Sequence, residues 1–181
     1  WRTTVHRRRT GDSGFRWQRH DRAARISGAL FAAAIVVGTI GVTLAAFSVT
    51  ELWGPLATIG GFVVGLVLFL AGCIVTLVAQ SEMGSSWRIG VDPSERTGLV
   101  KNGLFGWARN PIFTGMVTAA AGLALLAPTL LTAVSVVMLV VAVRVQVRRV
   151  EEPYLRDAMP GWPMYARRVG RFVPWLGRIS C

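Results

Sequence analysis

The sequence has few of the residues that most catalytic and metal sites use. Among 181 residues there are two histidines, His6 and His20, and both lie in a basic N-terminal segment. The two cysteines are also far apart: Cys73 lies in an apolar run and Cys181 is the last residue, so their spacing indicates neither a disulfide nor a metal site. We therefore predict no bound metal and no histidine-based chemistry.

Charge is missing from three long stretches of the chain. No charged residue occurs in residues 26–50, 52–81 or 110–143, although the whole chain carries a formal net charge of +11 and is 52% apolar. A helix needs about 20 apolar residues to cross a bilayer, so each of the first two runs predicts one transmembrane helix. These runs predict an integral membrane protein.

The third uncharged run is too long for one modestly tilted helix. Its 34 residues would form about 50 Å of helix. Pro128 lies near its centre, where proline disfavours helix at the preceding residue and suits the first turn of a new one. We predict an all-α polytopic protein in which the last two helices form a hairpin and a helical C-terminal segment follows. After a basic arm at 1–25, the single domain 26–181 would have spans near 26–48, 54–80, 111–127 and 129–148.

The basic residues support this arrangement. All 20 arginines and lysines fall in residues 2–25, 88–109 and 144–178, which four spans place on one side of the membrane. By the positive-inside rule both termini are predicted to be cytoplasmic. We expect the arm to contact anionic lipid headgroups rather than nucleic acid. The Arg-, Ala-, Gly- and Val-rich composition indicates a bacterial plasma membrane.

Two polar groups flank the predicted hairpin. Arg109-Asn110-Pro111 precedes its first helix and Glu151-Glu152 follows its second, so the hairpin brings them close together. A helix start with an arginine favours an anion, while the acids can receive an ammonium or ribose hydroxyls. Such a pocket suits a zwitterion. S-adenosylmethionine matches it, although periodicity and charge alone do not select that molecule.

Each of these residues also has a purely structural explanation. Asn110 and Pro111 suit an N-cap and a first helical position, so they could serve only to begin a helix. Arg109 could be an interfacial anchor whose charged end reaches water. Glu152 lies four residues after Arg148 and could form an exposed helical ion pair.

Several motifs in one order resemble a known family. The segments are "LVKNGLFGWARNPIFTG", "EEPYL" and "GWPMYARRVGRFVP", which lie within residues 80–176. In this order they resemble the isoprenylcysteine carboxyl methyltransferases, a family related to the membrane phospholipid N-methyltransferases. The resemblance implies a cytoplasm-facing S-adenosylmethionine pocket closed by the C-terminal segment, with a lipophilic acceptor arriving from the bilayer.

Roles for individual residues follow from their positions and from what the resemblance implies. Arg109 and Glu152 are the predicted catalytic residues. The predicted acceptor-binding residues are Trp87, Arg88 and Arg148. The residues predicted to bind the cofactor are Thr97, Leu99, Val100, Gly103, Phe105, Asn110, Pro111, Phe113, Glu151, Glu152, Tyr165 and Arg171. The chain departs from the family where Asn110 replaces the usual His and Phe113 the usual Tyr, and where Pro153 follows the two acids.

The predicted reaction is methyl transfer from S-adenosylmethionine to a lipophilic acceptor. An acceptor carboxylate, as in an isoprenylcysteine-like or other small hydrophobic substrate, needs no general base, which agrees with the scarcity of histidine. An amine or thiol acceptor would have to lose a proton, for which Glu152 is the candidate base. Two alternatives remain at this point: an NADPH-dependent membrane reductase of the sterol-reductase type, and a non-catalytic membrane scaffold.

Overall fold

The computed structural model describes residues 22–49, 53–83 and 99–179, together with the backbone of two short strands. These strands are β1 (Phe15–Arg16) and β2 (Ile89–Gly90), which pair in parallel. The rest of the predicted basic arm up to residue 21 lies outside the described residues. The other described elements are helices, so the predicted all-α class is confirmed.

Four long helices form the body of the structure. They are α1 (Arg22–Ala46), α2 (Ile59–Glu82), α3 (Pro111–Leu126) and α4 (Leu130–Val145). Shorter elements lie at one end of this bundle. They are a 3₁₀ turn (Gly103–Gly106), a π-helical turn (Gln146–Glu151), α5 (Glu152–Ala158) and α6 (Trp162–Arg168).

Three helical stretches are long and apolar enough to cross a membrane. They are α1, α2 and the continuous helical stretch Leu130–Ala158, whereas α3 is apolar but has 16 residues. Large apolar side chains such as Ile35, Phe62 and Ile74 are more than half exposed. An apolar outer surface of this kind indicates an integral membrane protein, because lipid would cover it. The count of four spans stays a prediction.

Small residues bring α2 and α3 into close contact. A Cβ atom added to Gly65 would lie 2.9 Å from the carbonyl oxygen of Gly122, and one added to Gly72 would meet the backbone of Ala119. Both helices therefore approach backbone to backbone, as small residues allow in membranes. The pairing of Gly65 with Gly122 and of Gly72 with Ala119 shows that the two helices are antiparallel.

Helices α1 and α4 also pack antiparallel, through a larger apolar core. Ala34 of α1 is buried with Leu139, Val143 and Val147. Nearer the start of α1, the Ser27 Oγ donates a hydrogen bond of 2.7 Å to the Oε1 of Gln146.

The predicted break at Pro128 separates α3 from α4. Helix α3 ends at Leu126, and Thr129 caps α4 through a reciprocal pair of bonds with Thr132. The Pro128 carbonyl accepts a 2.8 Å hydrogen bond from the backbone N–H of Trp53, so the two connections at this end of the bundle are joined.

The other end carries the basic residues, and there the helix of α4 widens before continuing as α5. Residues Gln146–Glu151 form a π-helical turn, in which the Glu152 N–H bonds to the Val147 carbonyl. Pro153 follows at once; its ring has no N–H and would clash with the carbonyl four residues earlier in a regular α-helix. A π turn relieves that clash, and such turns often occur at functional sites.

Residues 162–179 form what we call the C-terminal cap. Trp162, Tyr165, Ala166 and Val169 form its buried core, against which Leu99 packs. The cap is joined to the segment before α3 by a parallel bridge between Ala108 and Gly170. The cap therefore lies at the entrance to α3, where the sequence places its polar motifs.

Candidate functional site

Arg109 lies inside the protein, between the bundle and the cap. Its side chain is 3% exposed. One Nη donates to the carbonyl oxygens of Ala166 at 2.9 Å and Val169 at 2.7 Å, and the other donates to that of Gly177 at 3.1 Å. The alternative of an interfacial anchor is therefore wrong, because the guanidinium contacts protein carbonyls rather than water.

Glu152 forms ion pairs with Arg109 and with a second arginine. Its Oε1 accepts from the Arg109 Nη2 at 2.6 Å and from the Arg171 Nε at 2.8 Å, and its Oε2 accepts from the Arg171 Nη2 at 2.8 Å. The pair with Arg171 is bidentate, an arrangement that adds both strength and fixed geometry. We call these three residues the ionic cluster. The alternative partner Arg148 is exposed, and Glu152 is bonded to the other two arginines.

Access to solvent differs within the ionic cluster. The side chain of Arg171 is 18% exposed, against 9% for Glu152 and 3% for Arg109. The Arg109 Nε is buried and has no hydrogen-bond partner among the described residues. Of the three, Arg171 is therefore the residue that an incoming anion can reach most readily.

Aromatic residues of the cap surround the buried arginine. Trp162, 1% exposed, has the guanidinium carbons of Arg109 and Arg156 at 5.7 and 5.8 Å from its ring centroid. Both distances are within the range of cation–π attraction. The Tyr165 hydroxyl donates a 2.6 Å hydrogen bond to the carbonyl of Phe105. Burial raises the pKa of Tyr165 to about 12, so the hydroxyl stays protonated and remains a donor.

Asn110 and Pro111 begin α3 as the sequence predicts, at the N-cap and the first helical position. The Asn110 side chain makes no capping bond; its Nδ2 donates instead to the Arg171 carbonyl at 3.0 Å. The Asn110 backbone N–H donates to the same oxygen at 3.0 Å. Asn110 thus holds the backbone of the cap at Arg171. The backbone N–H groups in the first turn of α3 have no partner within the helix itself.

The two adjacent acids point to different parts of the structure. Glu152 faces the cap, whereas the Glu151 Oε1 accepts a 3.2 Å hydrogen bond from the Gln146 Nε2. Gln146 in turn accepts from Ser27 of α1, a residue that is 2% exposed. Neighbouring residues on a helix project about 100° apart, so one acid cannot substitute for the other. The prediction that both acids bind the cofactor stays a prediction.

A cleft of about 280 Å³ lies beside the cap. Its lining comes from the segment before the 3₁₀ turn and from the connection between α5 and α6. The lining residues are Leu99, Lys101, Ala158, Met159, Pro160 and Gly161. Leu99, a predicted cofactor residue, therefore borders both this cleft and the core of the cap.

The other predicted cofactor residues occupy varied positions. Val100 is half-buried, and Phe105 is buried below the cap. Gly103 has a φ of +60°, a conformation that favours glycine, and packs against the carboxylate of Glu82, which would have to shift to admit a Cβ. Phe113, which is partly buried, packs against the core between α1 and α4.

The predicted acceptor-binding residues are only partly described. Arg148 is exposed on the π turn. Trp87 and Arg88, and also the predicted cofactor residue Thr97, lie outside the described residues. All of these assignments stay predictions.

Several features of the site were not predicted from the sequence. The carbonyl oxygens that hold Arg109 are backbone atoms, so no residue type marks them. The approach of Trp162 to two arginines also has no local signal, because Arg109 and Trp162 are far apart in the chain. The Ser27–Gln146–Glu151 chain could have been noticed, since Ser27 is a polar residue at the start of an apolar run.

Metal chemistry has no support in this part of the chain. Within residues 22–49, 53–83 and 99–179, no group of three His, Cys, Asp or Glu side chains could hold a metal ion.

Part of the sequence matches a known protein family. It matches the profile of a family described as phospholipid methyltransferase over residues 61–159, which are 99 of the 181 residues. No curated protein and no solved structure matches the chain. The matched segment runs from α2 to the end of α5 and contains Arg109, Asn110 and both acids. This agrees with the resemblance drawn from the motifs: the chain belongs to the phospholipid methyltransferase family, whose members are membrane methyltransferases.

Proposed function

We propose that this protein transfers a methyl group from S-adenosylmethionine to a lipophilic acceptor at the cytoplasmic face of a bacterial plasma membrane, with four membrane spans. The acceptor we propose is the carboxylate of an isoprenylcysteine-like or other small hydrophobic molecule. Members of the family generally use S-adenosylmethionine, which supports the choice of cofactor.

The observation that carries this proposal is the ionic cluster. Three motifs that are distant in the sequence meet there: Arg109 before α3, Glu152 after the π turn and Arg171 in the cap. A lipid-facing scaffold would need no such convergence of charge, and burial of three charged groups is costly unless each is paired. The cost is easier to understand if the cluster shapes a binding site.

The groups around the cluster fit the polar end of the proposed cofactor. The start of α3 offers backbone N–H groups to a carboxylate, and the partly exposed Arg171 adds a positive charge beside them. When bound, S-adenosylmethionine would supply an activated methyl group that needs no metal or base for its release.

Within this proposal, Arg109 and Glu152 act mainly by holding the cap in position beside the start of α3. All four hydrogen bonds of the Arg109 Nη atoms go to protein groups, and both Glu152 oxygens are bonded to arginines. Glu152 is therefore a poor candidate for a general base. An acceptor carboxylate has no proton to lose, so this arrangement is compatible with it. Arg148 and Arg88 are the proposed partners of the acceptor's polar end.

The experiment is a labelled-methyl assay on purified protein in lipid vesicles. The protein is incubated with isotopically labelled S-adenosylmethionine and a lipid extract, and mass spectrometry identifies products that carry the label. The proposal predicts a labelled methyl ester. Thermal stabilisation by S-adenosylhomocysteine measures cofactor binding separately from turnover.

Matched variants test whether binding and turnover depend on the ionic cluster. Glu152→Gln should abolish both labelling and stabilisation, whereas Asp157→Asn, at an exposed acid on the same helix α5, should leave both unchanged. A labelled amine or thiol would contradict the carboxylate acceptor. Saturable NADPH binding without S-adenosylhomocysteine binding would overturn the methyltransferase proposal in favour of a reductase, and binding of neither would favour a scaffold.

A further inference from the structure

One tight turn of the cap displays large apolar side chains. Trp175 is 73% exposed, Leu176 is 71% exposed and Val173 is 42% exposed. They lie outside the four long helices, so they are not part of the apolar surface of the bundle. We call residues 173–177 the apolar turn.

The apolar turn is held in its shape by the backbone. The Leu176 N–H donates to the Pro174 carbonyl and the Arg171 N–H to the Leu176 carbonyl, both at 2.8 Å. Trp175 adopts a φ of +63°, a backbone conformation that is rare for a bulky residue and is normally kept only where the surroundings enforce it. The turn therefore presents Trp175 and Leu176 outward in a fixed arrangement.

The chain just before the turn is fixed beside the start of α3. The backbone N–H of Arg109 donates to the Gly170 carbonyl at 2.8 Å, and the Thr114 Oγ1 donates to the Phe172 carbonyl at 2.6 Å. The Phe172 side chain also packs against the core between α1 and α4. The turn thus begins where the apolar run of α3 starts, which is the level expected for a membrane surface.

The charge around the turn selects one kind of partner. Residues 162–179 contain no acidic residue, and Arg167, Arg168 and Arg178 are exposed. Exposed Trp and Leu side chains flanked by arginines suit the headgroup region of a bilayer that contains anionic lipid. We propose that the apolar turn inserts Trp175 and Leu176 into the anionic membrane surface.

Insertion would also support the ionic cluster. The Leu176 carbonyl accepts from the Arg171 backbone, and the Gly177 carbonyl accepts from the Arg109 side chain. A turn held in the bilayer would therefore hold both acceptors in place. This inference does not depend on which reaction the protein catalyses.

Probe depth in vesicles tests the proposal directly. In a Cys73→Ser/Cys181→Ser background, Trp175→Cys and, separately, Leu176→Cys are labelled with an environment-sensitive fluorophore and reconstituted. The vesicles contain phosphatidylcholine and phosphatidylglycerol, with bromine on the acyl chains at a shallow or a deep position. Asp157→Cys, at an exposed acidic position of α5, is the matched control. Circular dichroism and gel filtration check that each variant is folded.

We expect blue-shifted emission at both turn positions, with several-fold stronger quenching by shallow bromine than at position 157. Quenching should weaken when phosphatidylcholine replaces phosphatidylglycerol. Strong quenching by aqueous iodide at both turn positions, equal to that at position 157, would overturn the proposal. A fluorophore that is protected from iodide but is not quenched by brominated lipid would also overturn the proposal. If this protection is lost when the protein is diluted in lipid, a second copy of the protein covers the turn.

Discussion

Helix α3 is held in two different ways, by a glycine contact with α2 along its length and by the ionic cluster next to its first residue. Within the bundle, Gly65 and Gly72 let two backbones touch, and no charge is involved. At the basic end, just before α3 begins at Pro111, Arg109 is enclosed by carbonyl oxygens and Glu152. The first contact depends on the absence of side chains and the second on the ion pair and hydrogen bonds of a buried arginine, so they should fail for different reasons.

Glu152→Gln should give the largest effect, because it leaves Arg109 buried without a counter-charge. Removing one member of a buried ion pair costs about 3–5 kcal/mol of stability. We expect a lower unfolding temperature in detergent and faster amide hydrogen exchange in residues 162–179, with little change in α2. Asp157→Asn serves as the control. Equal acceleration in the cap and in α2 would show that the two regions do not unfold separately.

Gly72→Ala tests the other half of the comparison. The new methyl group would meet the backbone of Ala119, which cannot move aside as a flexible side chain can. Overpacking of this kind costs about 1–3 kcal/mol, and faster exchange should appear in α2 and α3 rather than in the cap. Gly60→Ala on the same helix is the control, since its Cβ would lie 3.8 Å from the nearest atom, the Thr58 Oγ1. Destabilisation by both substitutions to the same extent would contradict backbone contact as the cause.

Parts of this arrangement follow from the sequence because they depend on local chemistry. Pro128 interrupts an uncharged run and Asn110-Pro111 provides a helix start, so the ends of α3 could be placed within a residue or two. The meeting of Arg109 with Glu152 also follows, since it needs only two helices joined by a short connection.

Other parts of the site depend on contacts that local sequence does not encode. The direction in which each of the two acids points depends on the π turn before Glu152, and a shift of one residue changes the direction of a side chain by about 100°. The carbonyl groups around Arg109 come from a cap whose position is set by packing of Trp162 and Val169. Arg171 was assigned to the cofactor by its motif, but its pairing with Glu152 was not foreseen.

Tyr165→Phe should weaken the cap alone. It removes the donor to the buried Phe105 carbonyl, and an unsatisfied buried acceptor costs about 1–2 kcal/mol. Because the pKa of Tyr165 is raised to about 12 in the folded protein, from about 10 in an unfolded chain, its contribution is complete below pH 10 and declines as the pH rises towards 12. Chemical denaturation at pH 7 and at pH 9 should therefore give the same difference in the free energy of unfolding between the unsubstituted protein and Tyr165→Phe. A difference that shrinks between these values would show that the hydroxyl ionises earlier than the structure indicates.

Thr129→Ala should have the smallest effect and should appear at the end of the bundle opposite the ionic cluster. Thr129 is buried and caps α4 by accepting from the Thr132 N–H at 3.2 Å, and loss of a helix N-cap costs about 1 kcal/mol. Thr129→Ser keeps the hydroxyl and is the matched control. We expect faster exchange in the first turn of α4 in the alanine variant only, with residues 162–179 unchanged in both. Faster exchange in the cap as well would show that the two ends of α4 are coupled along the helix. The glycine contact and the ionic cluster would then belong to one cooperative unit rather than two.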